Sequence, residues 1–338
     1  MKRGESGLSL VVGVNKPVGM TSHDVVNRCR RIFGERRVGH AGTLDPAASG
    51  VLPVCVGPAT RLDPYLTGHD KAYRATVAFG ASTDTDDAQG AVVKESDVPA
   101  EAWSERFARG VLNEFVGASN QLPPAYSAIK VGGKKACDAA RAGVVIDLAP
   151  RPIVVYAAEL LAVREVAFQG RTLLAWDVAF EVSKGTYIRS LARDIGIAVG
   201  CASTLAGLER TRVGALGLEN CVTLEALEEA GVRAALDPID LLGFRLLFAR
   251  DDAARRIGNG GALDPRGLEL FCPPDRSFNE MCACTSGIAP SCKPLEDGER
   301  ISVVESNKLA AIYAYDQEKG RLKADCVFRT GVIRGCYL

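Results

Sequence analysis

The chain of 338 residues has only three histidines, two tryptophans and three methionines, and its 41 basic residues are balanced by 41 acidic ones. The histidines, at positions 23, 40 and 69, are too far apart to share a metal-ligand pattern. A net charge of zero provides no global field to attract a polyanion, so any nucleic-acid contact has to come from a local patch. The early apolar run LSLVVGV, residues 8 to 14, is too short for a membrane span and lacks the flanks of a secretory signal. The expectation is a cytoplasmic protein with no membrane partner.

Common enzyme signatures are also missing. There is no GxGxxG opening a helix, no GxxxxGK followed by Ser or Thr, and no HExxH. This argues against nucleotide-cofactor chemistry and zinc proteolysis. The eleven cysteines are mostly scattered singly among apolar or helical segments, which suits reduced, buried thiols better than a disulfide framework. Cys272, Cys282, Cys284 and Cys292 are closer together, but their spacing lacks the paired knuckles of a structural zinc site, so no metal is expected.

What is present is an ordinary globular composition, 47% apolar and 24% charged, with no repeat period. Residues 22 to 33 have helical spacing at Val25, Val26, Cys29, Ile32 and Phe33, with Ser22 as candidate N-cap and Gly34 as the stop. KAYRATVAFG, residues 71 to 80, alternates as a strand that places Tyr73, Ala75, Val77 and Phe79 on one face. On that pattern Tyr73 is a core aromatic. LLAWDVAFEV, residues 173 to 182, alternates in the same way. YIRSLARDIG, residues 187 to 196, follows as a helix with Gly196 near its end.

The pattern changes around residues 236 to 250, and the tail reads as short strands, RISVVES, LAAIYAY and ADCVFR among them. Interspersed strands and helices without a strict βαβ repeat predict an α+β, mixed-sheet domain over residues 1–245. A small β-rich domain is expected over 246–338.

Two features carry chemistry. RCRRIFGERR, residues 28 to 37, sets five arginines against one glutamate and reads either as a solvated helix face or as a patch for a polyanion. GHAGTLDPAASGVLPVCVGPATRL, residues 39 to 62, follows at once and sets a lone acid, Asp45, among small residues before an apolar run. Asp45 reads as a turn residue or as a displayed carboxylate. An arginine paired with such a carboxylate would keep it ionised and oriented, and Arg189 in SKGTYIR is a candidate, although from sequence alone it reads equally as a surface helix residue.

Six segments occurring in order choose between these readings. NKPVGMTSHDVV, GHAGTLDPAASGVLPVCVGPATRL, KAYRATVAFGASTDTDDAQG, QLPPAYSAIKVGGKKACDAARAG, SKGTYIRSLARDIG and LERTRVG closely resemble the bacterial TruB family of tRNA pseudouridine synthases, over about residues 10 to 225. The resemblance implies isomerisation of uridine to pseudouridine at position 55 in the TΨC loop of tRNA. It assigns Asp45 as nucleophile, Tyr73 as the platform under the base, Tyr187 and Arg189 as pocket lining, Leu208 as its closure, and His40 as a support for the everted loop. It implies a PUA-like RNA-binding tail, no cofactor, no metal, no guide RNA and a monomer.

The chemistry agrees, because the base is detached from N1, turned and rejoined through C5 with no redox agent, after leaving its stack for a snug pocket. Pro46 is expected to fix the turn that presents Asp45, and small neighbours to admit the RNA backbone. The carboxylate could add to the base or act at the ribose, including by removing a 2′ proton; both routes are compatible with the sequence.

Three positions depart from the family pattern: Glu209 where Arg is usual, Cys137 where Tyr is usual, and an inserted segment near 271–294. Competing readings are a guide-RNA-dependent relative of the dyskerin type, which shares the GH-x-G-T-L-D-P loop, and a non-catalytic RNA-binding protein on the same fold.

Overall fold

The computed structural model describes residues 6–127, 129–144, 147–249, 256–272, 290–291 and 293–335. Cys282, Cys284 and Cys292, with most of the 271–294 segment, lie outside the described residues, as does the side chain of Cys137. The chain forms two compact units. One comprises Met1–Asp45, Gly50–Gly68 and Arg212–Leu338, and the other Pro46–Ser49 and His69–Thr211.

In the first unit, strand Leu10–Lys16 runs antiparallel to Ala48–Val56, pairing Leu10 with Val56 and Lys16 with Gly50. Helix Ser22–Phe33 buries Val25, Val26, Cys29 and Phe33, the spacing expected for its apolar stripe. Its N-cap, however, is Thr21 and not Ser22. The Thr21 side chain accepts from the Asp24 N–H while the Asp24 carboxylate accepts from the Thr21 N–H, a reciprocal capping box. Gly34 ends the helix at φ 60, where a side chain would be strained.

The same unit carries a five-stranded sheet in the order Leu270–Phe271, Arg245–Phe248, Arg300–Glu305, Lys308–Asp316, Arg321–Ile333. This is the expected β-rich tail. Arg245–Phe248 is parallel to Arg300–Glu305 and the remaining neighbours are antiparallel. Leu309, Ile312, Phe328 and Val332 from this sheet share one core with Val11, Val51 and Leu62. Burial of such side chains contributes about 1.5–3 kcal/mol each, so the core of this unit depends on both ends of the chain.

The second unit orders its strands Ser203–Val213, Lys71–Phe79, Arg171–Val182, Arg151–Phe168, Gly117–Gln121. The alternation read from the sequence is the one that packs: Tyr73 pairs with Phe180, Val77 with Trp176 and Phe79 with Leu174, and all six are buried. Trp176 anchors the core, its ring 4.6 Å from that of Phe79 and its indole N–H donating to the Ala102 carbonyl at 2.8 Å. Helix Ile188–Val199 packs here and runs past Gly196 to Gly200, whose φ of 87 makes it the stop. Gly196 has another purpose. A Cβ there would lie 1.9 Å from Ser203 Oγ, so only glycine allows the helix this close to the strand that follows.

Candidate active site

In the first unit the expected motifs build one support under Asp45. The buried ammonium of Lys16 donates to the carbonyls of Pro17 and Met20 at 2.9 and 2.7 Å, curling NKPVGM back on itself. That delivers Thr21 as the cap and Ser22 as the first helical residue. Ser22, 3% exposed, points its hydroxyl at Leu44, donating to the Leu44 carbonyl at 3.0 Å and accepting from the Leu44 N–H at 2.9 Å.

Both backbone groups of the residue before Asp45 are therefore held by one side chain. The other end of the loop is held where the Ala41 N–H donates to the Pro53 carbonyl at 2.9 Å. Gly42, at φ 92, makes the turn between these anchors. Asp45 is half-buried at the end of this braced loop, and half-buried His40 lies on strand Val38–His40, paired with Val54.

In the second unit Tyr73 is 7% exposed and belongs to the main core, as the strand pattern predicts. Leu208 is partly buried against the same core. The salt bridge between Arg74 and Glu209, 3.8 Å long, joins the residues next to these two. Glu209 thus takes up the cation that follows Tyr73 in the chain.

Tyr187 is the N-cap of helix Ile188–Val199, and its side chain makes no capping bond. Buried Gln121 compensates by accepting from the Tyr187 N–H at 2.8 Å and donating to its carbonyl at 3.1 Å. Arg189 is buried, in contrast to the surface alternative. Its guanidinium donates to the carbonyls of Thr85 and Tyr126 at 3.1 and 3.0 Å and lies 3.9 Å from the Asp87 carboxylate.

Asp87 in turn accepts from Thr85 Oγ1 at 2.6 Å and from the Gln89 N–H at 3.0 Å. Ser190 Oγ and Arg193 both donate to the Leu122 carbonyl at 2.9 Å. One turn and a half of helix therefore pins two loops, TDTDDAQG and QLPPAYS, by their backbones. In the first of these Gly90 is closely packed, because a Cβ would lie 2.3 Å from Asp84 Oδ1 and 2.9 Å from Thr83 Cβ.

Burial dominates the electrostatics of this unit. It raises the carboxyls of Asp86 and Asp194 above the usual carboxylate range, against the opposing pull of Arg193. It lowers the Lys71 ammonium to about 8, helped by the charge of Arg210. Among the described residues no group of three or more His, Cys, Asp or Glu is placed to hold a metal ion.

Asp45 and His40 thus belong to the first unit, and Tyr73, Tyr187, Arg189 and Leu208 to the second. Sequence reasoning missed Ser22 as a loop clamp, Gln121, and the Asp87 loop. For Gln121 and the Asp87 loop the signal available was a polar side chain inside a motif that needed no polar surface.

Comparison with known proteins follows the same segments. The TruB family pseudouridylate synthase N-terminal domain matches residues 30–188, and the tRNA pseudouridylate synthase B C-terminal domain matches residues 189–241. A tRNA pseudouridine synthase B of Mycobacterium sp. (strain KMS) is 45% identical over 260 residues, covering 77% of this chain and 86% of its own. One from Oceanobacillus iheyensis is 41% identical over 254 residues, covering 73% and 82%. Among solved structures, a Cbf5-Nop10-Gar1 complex matches with a TM-score of 0.64 at 24% identity, covering 97% of this chain and 86% of that one. An H/ACA RNP bound to a substrate RNA containing 2'-deoxyuridine matches with a TM-score of 0.62 at 24% identity, covering 97% and 88%. These two likenesses show the fold.

Proposed function

The chain belongs to the TruB family of pseudouridylate synthases, and from that premise we propose that it isomerises uridine 55 in the TΨC loop of tRNA, with Asp45 as its nucleophile. The reaction breaks the bond between C1′ and N1, turns the base, and forms a bond between C1′ and C5. C5 loses its hydrogen and N1 gains one, so atoms balance without an external reagent.

The observation that carries the assignment of Asp45 is the bracing of its loop. The Ser22 hydroxyl fixes Leu44 at both backbone groups, so the carboxylate follows a segment with little freedom of its own. Preorganisation of this kind holds a reacting group near its productive geometry and reduces the entropy lost on reaching it. A residue serving only as a turn has no need of it.

The other assignments follow the chemistry of each side chain. Tyr73 offers a ring fixed in the main core of its unit as a platform for the flipped base. Arg189 and Tyr187 belong to a rigid helix start and shape the surround, Leu208 closes it, and His40 supports the everted loop. The β-rich part, residues 246–338, serves as the PUA-like RNA-binding domain beside a catalytic domain of residues 1–245.

The protein works as a cytoplasmic monomer without guide RNA. No described helix is long and apolar enough to cross a membrane. The test is to incubate the purified protein alone with a tRNA transcript and map pseudouridine. Formation at position 55 is expected, and a requirement for a guide RNA would overturn the stand-alone reading.

A further inference from the structure

The arginine run 28–37 does not act as one patch. Arg28 pairs with Glu228, whereas Arg30, Arg36 and Arg37 line a single cavity of about 420 Å³ within the first unit, with Thr60 and Asp63 on its wall. Among the described residues the side-chain acceptors that meet these guanidinium groups are neutral. Arg30 donates from Nη1 to Asn27 Oδ1 at 2.9 Å, and Arg37 from Nε to Thr60 Oγ1 at 2.7 Å. Arg30 Nε is buried and meets no acceptor among the described residues. No carboxylate lies within 4.0 Å of any of the three among those residues.

The acids nearby are engaged elsewhere. Asp63 accepts from Thr67 Oγ1 at 2.8 Å, and the Glu35 carboxylate accepts from Ser6 Oγ and the Arg37 N–H at 2.9 and 2.8 Å.

Three guanidinium groups share this wall with the single carboxylate of Asp63, an excess of positive charge that favours the entry of an anion. The planar fork of arginine matches the paired oxygens of a phosphate. Arg37 also lines a second cavity of about 680 Å³ in the same unit, together with Arg61, Arg329 and one acid, Glu305, so basic groups in excess continue from one concavity into the next. That succession fits a strand of linked phosphates better than one small anion. We propose that the cavity of Arg30, Arg36 and Arg37 seats a backbone phosphate of the tRNA. This rests on the tRNA reading above.

The test measures binding of tRNA transcript to the full chain across 50 to 200 mM salt. Each neutralised phosphate steepens the fall of log K with log salt by about 0.7–0.9. Arg37→Gln should flatten the slope by that amount, so that the wild-type advantage is about threefold greater at 50 mM than at 200 mM salt. Arg37→Lys keeps the charge and should keep the slope while losing affinity. Arg36→Gln, at an exposed position with no acceptor among the described residues, should flatten the slope without lowering the melting temperature, so loss of fold cannot imitate the effect.

Unchanged slopes in both Gln variants overturn the proposal, including the case where inorganic phosphate stabilises the wild type but not Arg37→Gln, which marks a site for a free anion only. A flattened slope in a protein whose wild type isomerises no uridine supports the phosphate site and counts against the functional reading instead.

Discussion

Replacing Ser22 by alanine removes one oxygen and leaves two backbone groups of Leu44 without their partner. Ser22 and Leu44 are 3% and 4% exposed, so water cannot readily take over. An unsatisfied buried group costs about 1–3 kcal/mol, and partial relaxation of the loop brings the pair to about 2 kcal/mol in total. If that cost is met by releasing the loop, the braced arrangement before Asp45 loses about 2 kcal/mol, and turnover falls about 30-fold at about 1.4 kcal/mol per decade.

The control is Val26→Ala, in the same helix and 2% exposed, which removes core packing but no loop bond. It should lose comparable stability, about 2 kcal/mol, and keep its turnover. The assay is single-turnover tritium release from tRNA labelled at C5 of uridine, beside a urea melt of each variant. Wild-type turnover in a folded Ser22→Ala protein, or an equal loss in both variants, would refute the claim that Ser22 acts through the Asp45 loop.

Arg189→Lys keeps the charge but cannot span the carbonyls of Thr85 and Tyr126, so turnover should fall at least about tenfold while the salt dependence of binding stays unchanged; a fully active Lys variant removes the guanidinium fork from the account. Lys71, lowered to about 8 mainly by burial, is protonated in both folded and unfolded chains below that pH, and the folded chain bears the cost of the buried charge. Between pH 8 and the unfolded value of 10.5 the folded chain has shed the proton and the unfolded chain has not, so stability should rise with pH. Relative to Lys71→Met the gain should reach up to about 3 kcal/mol, and parallel denaturation profiles for the two proteins over this window would contradict it. Glu209→Arg breaks an exposed pair worth under about 1 kcal/mol, so melting should hardly change while tRNA affinity and its salt dependence increase; unchanged affinity would mean that Arg74 and position 209 face no RNA.

The strands were the most legible part of the sequence, because alternation at Tyr73, Ala75, Val77 and Phe79 has one solution when a single face is buried. Helix ends were less so. Ser22 and Thr21 are equally good caps by residue type, and only the position of Leu44, brought in from 22 residues away, decides which hydroxyl is free to cap. Gly196 read as a residue near the helix end, because the close approach of Ser203 comes from tertiary packing and not from local spacing.

Asp45 stood out as an isolated acid among small residues. Its supports did not, since Lys16 and Ser22 work by bonding backbone groups, as Gln121 does for Tyr187, and such bonds leave no periodicity. The burial of Arg189 was hidden for a related reason. The groups that accept from it are carbonyls of loops 63 and 104 residues away, and a carbonyl has no residue type to read.

The central claim, that Asp45 performs the chemistry and is not a turn residue, is tested most directly by Asp45→Asn. Asparagine keeps the size and much of the hydrogen-bonding capacity of the side chain but removes its charge and nucleophilicity. With the loop still braced by Ser22, tRNA affinity should stay near wild type while tritium release from C5-labelled uridine falls to background. Release at the wild-type rate from a folded Asp45→Asn protein would contradict the account.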